Sequence, residues 1–240
     1  MISLKGMLNS FNSPLLNLTS IKENYNTWCN NWILRNDISY KYEKGYKTPS
    51  ILMTKSEILE YKTFNEIKFI DGFQKILDDI LINIDDIKSS QIDLVGLHST
   101  GIYVIECKNT TCTVSGNYSD KYWDYSNDSR YSPLYQNNSH INVLKDTLGI
   151  YDNSYFNSII VFGDKSTIKL CNNSCSEDFY NPIITTLKNI RSCIYKITKE
   201  KDNILSTDEL IEIYKKLSDY SRPTPQARIK HIEYIKKIRN

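Results

Sequence analysis

Asp93 stands thirteen residues before Glu106, and Lys108 follows two residues after it, in Gln91-Ile92-Asp93-Leu94-Val95 and Ile105-Glu106-Cys107-Lys108-Asn109. The types and spacing of these three side chains could do chemistry. Ile92–His98 and Ile102–Asn109 are rich in β-branched and aromatic residues, with Ser99-Thr100-Gly101 as turn material between them. They read as two strands of a hairpin. With an even number of connecting residues, residue i pairs with residue 199 − i, which sets Asp93 opposite Glu106. Cβ atoms of opposed residues lie about 4.5–5.5 Å apart, and like charges there destabilise the sheet. Two such carboxylates are tolerable when a cation sits between them or when one stays protonated. Lys108 points to the same face as Glu106. The plainer alternative is a surface hairpin with cross-strand ion pairs.

The elements around this hairpin are legible in part. Its site-side face reads Asp93, Val95, Leu97, Ile102, Val104, Glu106 and Lys108; the other carries Ile92, Leu94, Tyr103, Ile105 and Cys107. Both faces are apolar except at one end, so the sheet should be covered on both sides, with its charges gathered at the rim. Thr54-Lys55-Ser56-Glu57 has the form of a capping box opening a helix, with Glu57, Tyr61 and Phe64 along one stripe. Gln74–Asn83 reads as a strand region, and Asn109–Tyr131 as an extended surface excursion anchored by Trp123. Ser132-Pro133 starts a helix whose inward stripe is Leu134, Asn137, Ile141, Leu144 and Leu148, with Gln136 and His140 on a neighbouring stripe. Ser158–Phe162 and Thr167–Cys171 read as strands. Asn181-Pro182 should open a helix with Ile184, Leu187, Ile190 and Ile194 inward, and Ser206–Glu209 forms a second capping box. The last stretch is basic and helical, and an isoleucine stripe at 229, 232, 235 and 238 should dock it on the core.

The bulk numbers are permissive. A chain of 240 residues, 40% hydrophobic and 24% charged, is ordinary for a soluble globular protein. Net charge +2 permits nucleic-acid binding without demanding it. Met1–Leu18 has no continuous apolar core, so no membrane association is expected and the compartment reads as cytoplasmic. Six scattered cysteines read as reduced thiols, and Cys171-x-x-x-Cys175 is a poor zinc half-site.

In order along the chain, Ser56-Glu57-Ile58-Leu59-Glu60-Tyr61-Lys62, Gln91-Ile92-Asp93, Gly101–Asn109, Trp123, Pro133–Asn137 with His140-Ile141, and Ser158–Phe162 resemble the nuclease-related domain, NERD, of bacterial proteins. That family is a branch of the PD-(D/E)xK nuclease superfamily. The resemblance spans about residues 52–170 and leaves residues 1–50 unplaced. It suggests an N-terminal extension over 1–50, a nuclease core over 51–171 and a C-terminal helical region over 172–240. It departs from the family in having Ser56 where a glycine usually precedes the first glutamate.

The resemblance implies an α/β fold of restriction-endonuclease type, a mixed central sheet flanked by helices. It implies that Asp93 and Glu106 bind a divalent cation, with the Cys107 carbonyl as a further ligand. Oxygen ligands select Mg²⁺ or Mn²⁺. Lys108, Gln136 and Glu57 would complete the catalytic set. His140, Lys236 and Lys237 are candidates for nucleic-acid contact. The activity implied is metal-dependent hydrolysis of nucleic acid, DNA before RNA. The alternatives are a non-catalytic binding module of the same fold, or a latent nuclease held in check by a regulatory partner. A homo-oligomer is compatible with either.

Overall fold

The computed structural model describes residues 55–68, 70–171, 182–221 and 223–239. The N-terminal extension and Thr54 of the expected capping box therefore lie outside the described residues.

In chain order the elements are α1 (Lys55–Ile67), β1 (Phe73–Asn83), β2 (Ser89–His98), β3 (Gly101–Lys108), β4 (Thr113–Asn117), β5 (Tyr122–Tyr125), β6 (Ser129–Tyr131), α2 (Pro133–Leu148), β7 (Phe156–Phe162), β8 (Thr167–Cys171), β9 (Ile183–Thr186), α3 (Ile190–Glu200), α4 (Thr207–Ser218) and α5 (Pro225–Arg239). The central sheet runs β1-β2-β3-β7-β9 and a smaller one β6-β5-β4-β8. The β1–β2–β3 part is antiparallel, whereas β7 and β9 join in parallel. The fold is thus α/β with mixed sheets flanked by helices, of restriction-endonuclease type.

Burial on both faces holds the layers together. One face puts Val95, Leu97, Ile102 and Val104 against Ile141 and Leu144 of α2 and Leu210, Ile213 and Leu217 of α4. The other puts Leu94, Tyr103, Ile105 and Cys107 against Leu59, Phe64 and Ile67 of α1 and Ile190 and Ile194 of α3. Each fully buried side chain of this size contributes about 1.5–3 kcal/mol, so the central strands form the rigid part of the molecule.

Several sequence expectations need correction. Asn109–Tyr131 is no loose excursion: β4, β5 and β6 form the second sheet, closed over Val114, Trp123 and Tyr125. Ile183–Thr186 is a strand, not a helix start; its β-branched run adds an edge to β7, and the α-helix begins only at Ile190. Ile92 packs with Val95 and Leu97, not with Leu94. The cause lies in β1, where Asp79 has a left-handed φ of 51°. The ladder pairs Asp78 with Leu94 and Ile80 with Ile92 but skips Asp79 and Asp93, and the alternation resets there. The α5 isoleucines do not dock: Ile229, Ile232 and Ile238 are 57%, 52% and 61% exposed. The helix is held by Arg228, which pairs with the buried Asp79, and by His231, whose Nδ1 lies 2.8 Å from Ser89 Oγ. No helix among the described residues is long and apolar enough to cross a membrane.

Candidate metal and phosphodiester site

The hairpin has the register its turn requires. Leu94 pairs with Ile105, Val95 with Val104, Gly96 with Tyr103, Leu97 with Ile102 and His98 with Gly101, each pair summing to 199. Carried one residue further, that register sets Asp93 opposite Glu106. There the ladder gives way, and a carboxylate oxygen of Asp93 accepts the Cys107 backbone N–H at 2.8 Å. Asp93 is also where the alternation of β2 resets, beyond the last β2–β3 pair.

Glu106 is buried and faces α2. Its Oε1 accepts from Lys108 Nζ at 2.6 Å, and the same ammonium donates to Gln136 Oε1 at 2.8 Å. His140 Nε2 lies 3.4 Å from Glu106 Oε2, and His140 Nδ1 lies 2.7 Å from Ser90 Oγ. The histidine contact is of ion-pair length and leaves Glu106 Oε2 buried without a hydrogen-bond partner.

The helix that delivers Gln136 and His140 is fixed from two directions. Ser132 caps its N-terminus, accepting from Leu134 N, with Pro133 at the first turn. Asn137 then clamps it to the sheet: its Nδ2 donates to Val104 O and to Ser158 Oγ, both at 2.9 Å. Gln136 and His140, one turn apart, are thereby set over Glu106 and Lys108.

The two opposed carboxyls are driven to different protonation states. Burial pushes the Glu106 carboxyl up, but the Lys108 ammonium and then His140 outweigh it and hold it down at about 2. Burial also pushes Asp93 up, and the negative charges of Glu106 and Glu60 push the same way, so it is raised well above its usual 3.8. Burial would lower Lys108, but Glu106 and Asp93 outweigh that and raise it, so it stays charged. The pair is a site with one negative charge settled and a second opposed by burial first and by repulsion next.

Of the residues singled out in the sequence, Asp93, Glu106, Lys108, Gln136 and His140 come together. Cys107 contributes its backbone N–H to Asp93, while its thiol packs on the opposite face, 3.6 Å from Thr63 Oγ1 of α1. Glu57 lies in α1, but its side chain falls outside the described residues. His140, read as a nucleic-acid contact, is buried with one ring nitrogen toward Glu106 and the other on Ser90. Lys236 and Lys237 are exposed on α5 and make none of these contacts.

Glu60 is the residue the sequence reading missed. It lies one turn before Thr63 on the inward side of α1, and its charge acts on both Asp93 and Cys107. Its spacing of three from Glu57 and from Thr63 is the signal that could have found it.

An orphaned buried Glu106 oxygen and an Asp93 carboxyl whose ionisation is opposed by burial and then by neighbouring carboxylates are what a cation would relieve, so these residues would fit one. Among the described residues no three His, Cys, Asp or Glu side chains are grouped closely enough to hold a metal ion. A cation between Asp93 and Glu106 would find two carboxylates as side-chain ligands, a donor type that suits Mg²⁺ better than zinc.

Fold and site together define an α/β protein of restriction-endonuclease type, its charged cluster at the rim of a hairpin in the central sheet. Residues 55–163 match the model of the nuclease-related domain, NERD, which bears out the resemblance read from the sequence. No curated protein matches the chain. A crystal structure of a protein of unknown function, AF1548, aligns over 75% of this chain and 98% of its own, at 14% identity and a TM-score of 0.26. At that score the superposition carries no argument.

Proposed function

We propose that the chain is a metal-dependent nuclease that hydrolyses phosphodiester bonds of nucleic acid, DNA before RNA. The observation that carries the reading is geometric: the hairpin register sets Asp93 opposite Glu106, and the Lys108 ammonium lies 2.6 Å from the Glu106 carboxylate. Burial pushes Asp93 up while Lys108 holds Glu106 down, in keeping with that arrangement. Asp93, Glu106 and the Cys107 carbonyl would hold Mg²⁺ or Mn²⁺. The chemistry that ion supplies is Lewis-acid polarisation of the phosphodiester.

The remaining roles belong to the chain's own side chains. Lys108 carries the positive charge that meets charge developing on the phosphate. Gln136 steadies Lys108 through its carbonyl at 2.8 Å, while its amide nitrogen lies 3.4 Å from His140 Nε2; it would reach phosphate or attacking water only by giving up that contact. His140, held by Ser90, orients Glu106. Glu57 would approach from α1. Lys236 and Lys237 add backbone attraction without touching the chemistry.

Incubation with supercoiled plasmid, single-stranded DNA and RNA tests the reading. Cleavage is expected with Mg²⁺ or Mn²⁺ and not with EDTA. Cleavage undiminished by EDTA, or none on any substrate, overturns it.

A further inference from the structure

The part of β2 that leads into the site has a strand neighbour on one side only among the described residues. The ladder with β3 ends at Leu94, while residues 89–92 pair with β1. This stretch follows an exposed loop over residues 83–88, and a strand start of that kind frays unless something else holds it. Two residues of the site depend on it. Ser90 fixes the His140 ring, with Oγ 2.7 Å from Nδ1, and Asp93 is the carboxyl opposed to Glu106. With the Ser90 hydroxyl donating to Nδ1, the ring proton sits on Nε2, on the side of Glu106 Oε2.

α5 supplies the missing hold. Arg228 pairs with Asp79, a carboxylate 1% exposed, whose other oxygen accepts from Gln91 Nε2 at 2.6 Å. Nearly one turn on, His231 Nδ1 lies 2.8 Å from Ser89 Oγ. The helix thus grips both neighbours of Ser90, Ser89 directly and Gln91 through Asp79. His231 and His140 stand close enough for charge on one to oppose charge on the other. Asp79 is also the left-handed residue at which the β1–β2 ladder is interrupted beside Asp93. Both grips are polar and therefore directional, so they fix a position where an apolar face could slide. A helix that needed attachment alone would bury its isoleucines, and Ile229, Ile232 and Ile238 stay exposed.

We propose that α5 is a brace for the Glu106 site, with Arg228 and His231 as its positioning residues. By fixing Ser89 and Gln91 they set Asp93 and, through Ser90, the His140 ring against Glu106. The inference rests on the nuclease reading and deepens it: the site is complete only with α5 in place.

The test compares His231→Ala and His231→Asn with the parent in the full chain. The chain has three histidines, 98, 140 and 231, so the His140 ring nitrogens can be followed by ¹⁵N NMR in the metal-free protein. His231→Ala should shift those signals and lower Mn²⁺ affinity or kcat for plasmid cleavage about tenfold, with KM within about twofold. The asparagine amide reaches the place of Nδ1, so His231→Asn should recover most of the loss. Arg228→Lys keeps the charge but loses the planar fork, and it should show the same loss even where His231→Ala does not fold. Variants that only melt lower, with His140 signals, Mn²⁺ affinity and kcat as in the parent, overturn the brace. So does a rise in KM alone, which would mean attraction for the nucleic-acid backbone. Metal-dependent cleavage that is indifferent to both residues sinks the brace alone. His140 signals that follow His231, in a parent that cleaves no substrate, sink the nuclease reading alone.

Discussion

The two ends of the β2–β3 hairpin bury polar groups to opposite effect. At the turn, Thr100 Oγ1 lies 2.6 Å from the Tyr103 hydroxyl and 2.8 Å from His98 Nδ1, and Thr100 N donates to the same nitrogen at 3.1 Å. Burial lowers His98, with the Asp71 carbonyl opposing, and burial raises Tyr103, so both stay neutral at physiological pH. At the rim, Asp93 and Glu106 repel, Lys108 is charged and one oxygen is orphaned. One end is complete without any ligand and stabilises the fold. The other is incomplete, and what it lacks is positive charge.

The sharpest way to break this contrast is to neutralise the rim. Glu106→Gln or Asp93→Asn should reduce cleavage to the level of the EDTA control. The metal-free Asp93→Asn protein should melt no lower than the metal-free parent, because burial and the neighbouring carboxylates already oppose the ionised form of Asp93. Undiminished cleavage in both variants would refute the site.

Lys108→Ala should cost about 10²–10³ in turnover, the usual effect of losing one group that meets transition-state charge. Mn²⁺ affinity should survive, since an ammonium donates no ligand. Calorimetric titration beside a cleavage assay separates the two; collapsed affinity with near-parent cleavage would reverse the roles.

The pH response follows from the split. In the metal-free protein Glu106, lowered from 4.5 to about 2, contributes stability that is present above pH 4.5 and lost as pH falls toward 2. Asp93 works the other way. Its contribution is present below 3.8 and lost as pH rises through its raised value. A cation needs Asp93 ionised, so binding should expel a proton. Mn²⁺ affinity should then climb by up to about tenfold per pH unit across that titration, for one proton released. Calorimetry in buffers of different ionisation heat counts the proton; none released, with flat affinity, would contradict the protonated Asp93.

The smallest effect on activity belongs to the turn. Thr100→Val removes the hydroxyl contacts to Tyr103 and His98 while keeping the backbone N–H on His98 Nδ1, at a cost of about 1–3 kcal/mol. That is a fall of about 2–4 °C in melting temperature per kcal/mol for a domain of this size, with cleavage unchanged.

The hairpin and α2 were legible because their signals are local. A two-residue turn fixes the 199 − i register, and Ser132-Pro133 marks the helix start whose stripe 134, 137, 141, 144, 148 is buried as read. What failed depended on distant partners. Nothing in Ile183–Thr186 says that β7 will accept another strand. Nothing in Asn109–Tyr131 says that β8 will close a second sheet over it. The reset at Asp93 is caused by Asp79, fourteen residues away on the neighbouring strand. The three-residue spacing of the α5 isoleucines predicts a buried face, beside a basic one, yet Ile229, Ile232 and Ile238 are exposed. In the structure Arg228 reaching the buried Asp79 carboxylate decides how the helix attaches, since a buried charge left alone is far costlier than exposed isoleucine.

On the proposed function, Lys108 would make the rim a form of ion exchanger. Its ammonium occupies the Glu106 oxygen at 2.6 Å and is steadied by Gln136. A divalent ion would have to compete with that contact, which would lower its affinity and speed its exchange. Lys108→Ala would then bind Mn²⁺ at least as tightly as the parent, and the site would follow the free concentration of its ion.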